Sequence, residues 1–379
     1  MDKESRKLRI GITGQAGFVG KHLYNTLGLQ HDKYERIDFE KDFFNNVLKL
    51  DSFTQECDVI VHLAALNRHN DPEVIYQTNI ALVKKIIESC ERTNSKPHIV
   101  FSSSTQEERD NLYGRSKKEG RAFFEEWAKK NNTTFTGLII PNVFGAFGHP
   151  YYNSVVATFS HQLTHNEQPK IDVDGNMQLI YVEQLVKEII YRINSPEQLI
   201  NNIHIPHRYE IKVSLLLKKL ETYKSDYFEK GIFPDLHNDF DKNLFITFLT
   251  YIDHKTFFPF KLKKNTDNRG SFVETVRLNS GGQVSFSTTV PGITRGNHYH
   301  TRKAERFAVI KGKALIELRK INTKEVLSFE LDGNEPSFVD MPIWYTHNIK
   351  NIGDEELLTI FWINEFFDPN DPDTYMETI

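Results

Sequence analysis

The stretch Ile10-Gly11-Ile12-Thr13-Gly14-Gln15-Ala16-Gly17-Phe18-Val19-Gly20 closes one short apolar run and opens an amphipathic one. Glycines at 14, 17 and 20 allow a tight turn and let the backbone approach a pyrophosphate, which then sits at a helix N-terminus where free N–H groups favour anions. Strand spacing at 8–13 and helical spacing at 20–29 supply the context such a loop requires. The rhythm continues downstream, with apolar runs of strand length at 58–65, 98–103 and 135–140 alternating with helical periods at 74–90 and 113–130. Repeated βαβ units predict a Rossmann-type doubly wound parallel sheet in the N-terminal part of an α/β chain.

Helical spacing persists at 181–193, 213–223 and 240–252, and the period then changes to two. Short strands at 271–276, 283–290, 307–310, 314–318 and 357–363, separated by Gly, Asn and Asp turns, predict an all-β sandwich or barrel. The segment 253–264 carries Pro259 and four lysines and marks the expected boundary. The reading is therefore a first domain over 1–255, a linker at 256–264 and a second domain over 265–370. At 379 residues each part is long enough to bury a core of its own. A net charge of −4 offers no field for nucleic acid or an anionic membrane, so neither is expected as a partner. Two isolated thiols, Cys57 and Cys90, fit a reducing compartment better than a disulfide framework. The N-terminus lacks a signal-like apolar core, and no apolar run approaches the roughly 20 residues of a membrane span. A cytoplasmic location is expected.

In the first domain, Ser102-Ser103-Ser104 ends a strand and Tyr113-Gly114-Arg115-Ser116-Lys117 opens a helix. The four-residue spacing puts Tyr113 and Lys117 on one helical face, where an ammonium would lower the phenol's pKa. With the glycine loop, these residues resemble the extended short-chain dehydrogenase/reductase family over about residues 8–255. The resemblance implies Ser104 (or, less well, Ser103) and Tyr113 as catalytic groups, with Lys117 tuning the phenol and holding the cofactor ribose. It implies NAD(P) contacts from Gly14, Gly17, Phe18, Val19 and Gly20, and from Leu63, Ala64 and Ala65 of the His62-Leu63-Ala64-Ala65 segment. Asn142, in Pro141-Asn142-Val143-Phe144-Gly145, and Asn153 are the expected substrate contacts, and Tyr181-Val182-Glu183 carries Glu where the family has Asp. Asp38 stands where an acidic residue would bind the adenosine ribose and favour NADH, whereas Lys21 and Lys41 offer a phosphate contact that would favour NADPH.

In the second domain, Gly292-x5-His298-x-His300-x4-Glu305-x6-Gly312 is followed by Pro342-x-Trp344-x2-His347-x3-Asn351. Alternate residues on a strand share a side, so His298 and His300 point together. Three imidazoles and the Glu305 carboxylate suit Zn²⁺, and the same set accepts Fe²⁺, Mn²⁺ or Ni²⁺. These residues resemble the two motifs of the cupin superfamily over about 265–370. The first motif matches throughout; in the second, Trp344 replaces the usual glycine and the interval from Gly333 to Pro342 is long. The segments Asp267-Asn268-Arg269-Gly270-Ser271-Phe272-Val273-Glu274 and Thr294-Arg295-Gly296-Asn297-His298-Tyr299 resemble cupin-fold 4-keto-6-deoxysugar nucleotide epimerases. That likeness makes His298 either a proton-abstracting base or a metal ligand. Arg269 and Glu274 become either substrate contacts or a structural ion pair at the barrel rim.

A reductase fused to a metal cupin, with Pro150-Tyr151-Tyr152-Asn153-Ser154 and the tail 367–375, resembles the CapF family of capsular polysaccharide-assembly proteins almost end to end. The resemblance implies a bifunctional homodimer acting on a UDP-linked 4-keto-6-deoxy-N-acetylhexosamine on the route to UDP-N-acetyl-L-fucosamine. The cupin would invert C3 of a UDP-2-acetamido-2,6-dideoxy-4-hexulose. The first domain would then reduce C4 with NADPH to UDP-2-acetamido-2,6-dideoxy-L-talose. Two alternatives stand beside it: a single-function reductase or epimerase whose cupin only binds sugar or dimerises, and a non-catalytic metal- or sugar-binding regulator.

Overall fold

The computed structural model describes residues 6–268 and 270–379. It divides into two compact units, one of Met1–Thr158 with Asp174–Val213 and one of Phe159–Val173 with Ser214–Ile379. The first holds a six-stranded parallel sheet whose spatial order is Tyr34–Ile37, Leu8–Thr13, Val59–His62, His98–Ser104, Phe135–Ile140 and Ile200–His204. Val59–His62 is buried at every position, the mark of a strand covered on both faces. One face packs Leu23 and Leu27 of helix Phe18–Gly28 and Leu185, Val186 and Ile189 of helix Val182–Asn194. The other packs Phe53, Val83, Ile86, Phe124 and Trp127. This is the predicted doubly wound Rossmann-type sheet. Its strand order reverses between Leu8–Thr13 and Val59–His62, which opens a crevice at their carboxyl ends.

The second unit contains a cupin-like β-barrel made of two five-stranded sheets. One runs Phe260–Lys261, Ser337–Met341, Glu305–Lys311, Leu357–Ile363, Gln283–Thr289; the other Val326–Asp332, Lys313–Lys320, Tyr345–Asn351, Thr294–Tyr299, Tyr375–Met376. Their inner faces meet in a core of Ala308, Val309, Ile316, Leu318, Phe338, Val339, Met341 and Ile349. Residues 214–255, which the sequence reading gave to the first domain, group with this unit. The reason lies in a buried charge. The Arg306 guanidinium is 1% exposed and grips Asp340 through two bonds of 2.8 Å. It also donates to the Gly231 carbonyl at 2.7 Å and lies 3.4 Å from the Phe338 ring centroid and 4.4 Å from that of Phe233. Tyr227 donates its hydroxyl to Asp340. Segment 227–233 therefore supplies part of the pair's desolvated surroundings. Nor is 256–264 a free linker: Phe258 is buried in the barrel core and Phe260–Lys261 pairs with Phe338 and Ser337.

Removing one partner of a buried ion pair strands the other charge. We expect Asp340→Ala to destabilise the second unit by about 3–5 kcal/mol in urea unfolding. A loss below about 1 kcal/mol would show that the guanidinium is not held by this pair.

Candidate functional site

The crevice of the first unit is a cleft of about 500 Å³ lined by Gly14, Gly17, Phe18, Val19 and Gly20, by Leu63, Ala64 and Ala65, by Ser102, Ser103 and Ser104, and by Tyr113, Lys117, Asn142 and Asn153. Gly14 has φ +78°, and a Cβ there would lie 2.9 Å from the Ala64 nitrogen. At Gly20 a Cβ would stand 2.2 Å from the Gly14 carbonyl oxygen, so the first turn closes only on glycine. Helix Phe18–Gly28 begins without a side-chain cap and without an acidic residue in its first turn. Its N-terminal amides thus face the cleft with a field that suits an anion, and the residues present fit a dinucleotide phosphate.

Strand alternation separates the three serines. Ser103 is buried and donates its hydroxyl to Glu107 at 2.6 Å. The Ser104 oxygen accepts from the Gln106 amide at 3.2 Å, which leaves its hydroxyl proton for another acceptor. Ser102 donates to the His62 carbonyl at 3.1 Å. Tyr113 and Lys117 lie in the first turns of helix Leu112–Asn131, capped by the Asn111 side chain on the Gly114 amide at 2.7 Å. The expected lowering of the phenol is not what the structure gives. Burial, with Tyr152 nearby, pushes Tyr113 up to about 12. Burial pulls Lys117 down to about 8, and its Nζ donates to the Ser102 carbonyl at 2.8 Å while lying 5.9 Å from the Tyr113 ring centroid. The lysine is thus anchored on the serine strand.

Asn153 reaches the cleft and donates to the Asn67 carbonyl at 3.1 Å. Asp38 is exposed at the end of strand Tyr34–Ile37, accepts from the Tyr24 hydroxyl at 3.0 Å, and is not among the residues that line the cleft. Lys21 and Lys41 are exposed and stand outside that lining too. Gln106, Gly148, His149 and Tyr152 also line it, and sequence reasoning assigned them no role. The Tyr152 signal was within reach, one residue before Asn153 in a segment already singled out.

In the second unit, ligand atoms of His298, His300, Glu305 and His347 lie within 4.8 Å of one another. The His300 Nδ1 donates to the Asp373 carbonyl at 2.5 Å and the His347 Nδ1 to the Tyr345 carbonyl at 3.2 Å. A carbonyl only accepts, so both Nδ1 atoms carry a proton, and in the neutral rings both Nε2 atoms present lone pairs. Those Nε2 atoms stand 3.3 and 3.2 Å from one Glu305 oxygen, and all three atoms are buried without a hydrogen-bond partner. Burial opposes charge on Glu305, and its carboxyl falls below the usual range only as His300 and His347 take up positive charge and donate to it. Burial and the neighbouring His347 and His300 pull His298 down to about 4, which keeps it a neutral donor. Three converging donors without a proton between them fit a divalent cation.

Trp344 has φ +60°, the left-handed region that explains a glycine in related motifs. It is 2% exposed, stacks on Tyr299 with centroids 5.7 Å apart, and donates its amide to the His300 carbonyl at 2.7 Å. Packing thus maintains the turn despite the bulky side chain. Glu274 is exposed beyond strand Gly270–Val273 and is not one of the four clustered groups. Arg269 lies outside the described residues. No helix among the described residues is long and apolar enough to cross a membrane.

Comparison with known proteins agrees with both halves. Residues 10–206 match the NAD dependent epimerase/dehydratase family, and residues 265–375 match the polysaccharide biosynthesis C-terminal domain. A UDP-2-acetamido-2,6-beta-L-arabino-hexul-4-ose reductase from Pseudomonas aeruginosa is 29% identical over 370 residues, covering 97% of this chain and 98% of its own. The spore coat polysaccharide biosynthesis protein SpsL of Bacillus subtilis is 28% identical over 123 residues, 30% of this chain and 82% of its own. The crystal structure of the capsular polysaccharide assembling protein CapF from Staphylococcus aureus aligns with TM-score 0.62 and 35% identity, covering 98% of this chain and all of that one. The chain belongs to the NAD dependent epimerase/dehydratase family and, along its length, to the CapF-like proteins in which that domain is joined to a cupin-like barrel.

Proposed function

We propose that the chain is a bifunctional sugar-nucleotide enzyme of capsule assembly, acting on a UDP-2-acetamido-2,6-dideoxy-4-hexulose at C3 in the barrel and at C4 in the cleft. The observation that carries this reading is the pairing in one chain of an anion-ready cleft bearing Ser104, Tyr113 and Lys117 with the His/Glu cluster of the barrel. Reduction of a hexul-4-ose is the reaction named for the Pseudomonas aeruginosa relative. Epimerisation at C3 rests on chemistry. A ketone at C4 makes the C3 proton acidic, so inversion precedes the step that consumes the ketone. His298, His300, Glu305 and His347 would hold a divalent ion, assigned here as Zn²⁺, which when bound would supply Lewis-acid stabilisation for negative charge on the ketone oxygen. With His298 as fourth ligand, the C3 base is another group of the barrel. Arg269 and Glu274 are assigned to substrate binding.

In the cleft, Gly14, Gly17 and Gly20 would hold a nicotinamide cofactor, assigned here as NADPH, which when bound would supply hydride for C4. Ser104 donates its free hydroxyl proton to the ketone oxygen, and Tyr113, protonated throughout the neutral range, hands its proton to that oxygen as the alcohol forms. Lys117 holds the cofactor ribose, and Asn142 and Asn153 orient the sugar nucleotide. The balance is one hydride and one proton added across the C4 carbonyl, giving UDP-2-acetamido-2,6-dideoxy-L-talose and the oxidised cofactor. The homodimer expected of such a barrel finds support in strand Gln283–Thr289, which ends its sheet with Val284 and Phe286 exposed.

The test is a double dissociation in D₂O, followed by NMR of the sugar. Tyr113→Phe should abolish reduction, by about 10²-fold or more, while deuterium still enters at C3. His347→Ala should lose bound metal and C3 exchange while the cleft still oxidises NADPH with a 4-ketosugar that needs no inversion. Loss of both activities in either well-folded variant would refute separate sites. A second expectation concerns pH. Lys117 carries its charge below about 8 and loses it above, so kcat/KM for the cofactor, which reports the free protein, should fall as pH rises through that value. Lys117→Arg should remove this alkaline limb. A native profile flat to pH 10 would show that the lysine charge is not required.

A further inference from the structure

The C-terminal tail closes over the rim of the barrel at the point where His300 is held. The Asp373 carboxylate, 2% exposed, accepts from the amides of Thr301, Arg302 and Lys303 at 3.1, 3.0 and 3.2 Å and from the Thr301 hydroxyl at 2.6 Å. Three successive amides converging on one anion form a nest, and bonds to an ionised acceptor are the stronger kind. The backbone of the same residue is in the left-handed region, at φ +43°, which Asp tolerates better than most residues. That conformation aims its carbonyl at the His300 Nδ1. Immediately beyond, Tyr375–Met376 pairs with Tyr299 and His298. The carboxylate therefore fixes the tail to the loop that follows His300, and the carbonyl of the same residue fixes which nitrogen of His300 carries the proton.

We infer that Asp373 is a positioning residue for the metal centre, and that metal loading and docking of the tail are coupled. This rests on the metal reading given above. Its energetic basis is that of outer partners of metal-bound histidines, which set tautomer and ring orientation and whose loss weakens affinity about 10–100-fold. Coupling is reciprocal, so a tail that strengthens metal binding is itself held more firmly by the metal.

The experiment measures Zn²⁺ affinity of the full chain by competition with a chromophoric chelator. Asp373→Ala should bind about 10–100-fold more weakly than the native chain. Asp371→Ala, which removes an Arg302 contact of the same tail but no contact to His300, should bind within about twofold of native, the scatter of such a titration. Hydrogen exchange of the unmodified chain gives an independent reading, since amides 301–303 and 371–376 should exchange more slowly with Zn²⁺ than after chelation. Equal affinity of Asp373→Ala and native, or exchange at those amides indifferent to Zn²⁺, overturns the inference. Should the native chain take up no Zn²⁺, the metal reading falls and this inference with it, an outcome distinct from native binding that Asp373→Ala leaves unchanged.

Discussion

Two imidazole lone pairs and a carboxylate oxygen facing one another inside a barrel form an arrangement that cannot relax by itself. Each Nδ1 is committed to a backbone carbonyl, so neither ring can turn its proton inward without giving up a bond. Water has little access, since His300, Glu305 and His347 are all buried. A positive charge at that point, a proton or a cation, relieves the arrangement, and three strands converge on it. Strand Glu305–Lys311 brings the carboxylate, strands Thr294–Tyr299 and Tyr345–Asn351 bring imidazoles, and the turn at Trp344 holds the His300 carbonyl. The interior is built so that a charge is cheaper than its absence.

The cleft of the first unit solves the opposite electrostatic problem. Its glycine loop bares helix amides to an anion, and the sole buried ammonium nearby among the described residues lining it, Lys117, is turned onto the serine strand. Desolvation weakens that lysine's hold on its proton and strengthens Tyr113's. A dinucleotide in the cleft would bring negative charge close to both groups, so the tuning of the proton-handling pair depends on what the loop is holding. The two units thus deal with charge by different means: one gathers ligand atoms at a single point, the other clears backbone around a helix N-terminus.

Much of this was legible in the sequence because period and spacing are local properties. The glycine loop, the Tyr113–Lys117 spacing and the His298/His300/Glu305/His347 set could be read without knowing the fold. What could not be read depends on contacts distant in sequence. Choosing between Ser103 and Ser104 needs Glu107, which occupies one hydroxyl and leaves the other free. The pKa of Tyr113 needs the depth of its burial, and helical spacing alone predicted the wrong direction. Trp344 looked like a departure from its motif because side-chain identity is visible in a sequence and φ is not. Asp373 lies 73 residues from His300, and nothing in its composition marks it as that residue's partner.

The buried Arg306–Asp340 pair has a consequence for how such proteins could be assembled over evolutionary time. Its aromatic and carbonyl cover comes from Tyr227, Gly231 and Phe233, well before the first strand of the barrel. The exchangeable module is therefore larger than the barrel. A recombination joint near residue 264 would transplant a guanidinium without its lining, whereas a joint upstream of 214 would carry the whole cover along.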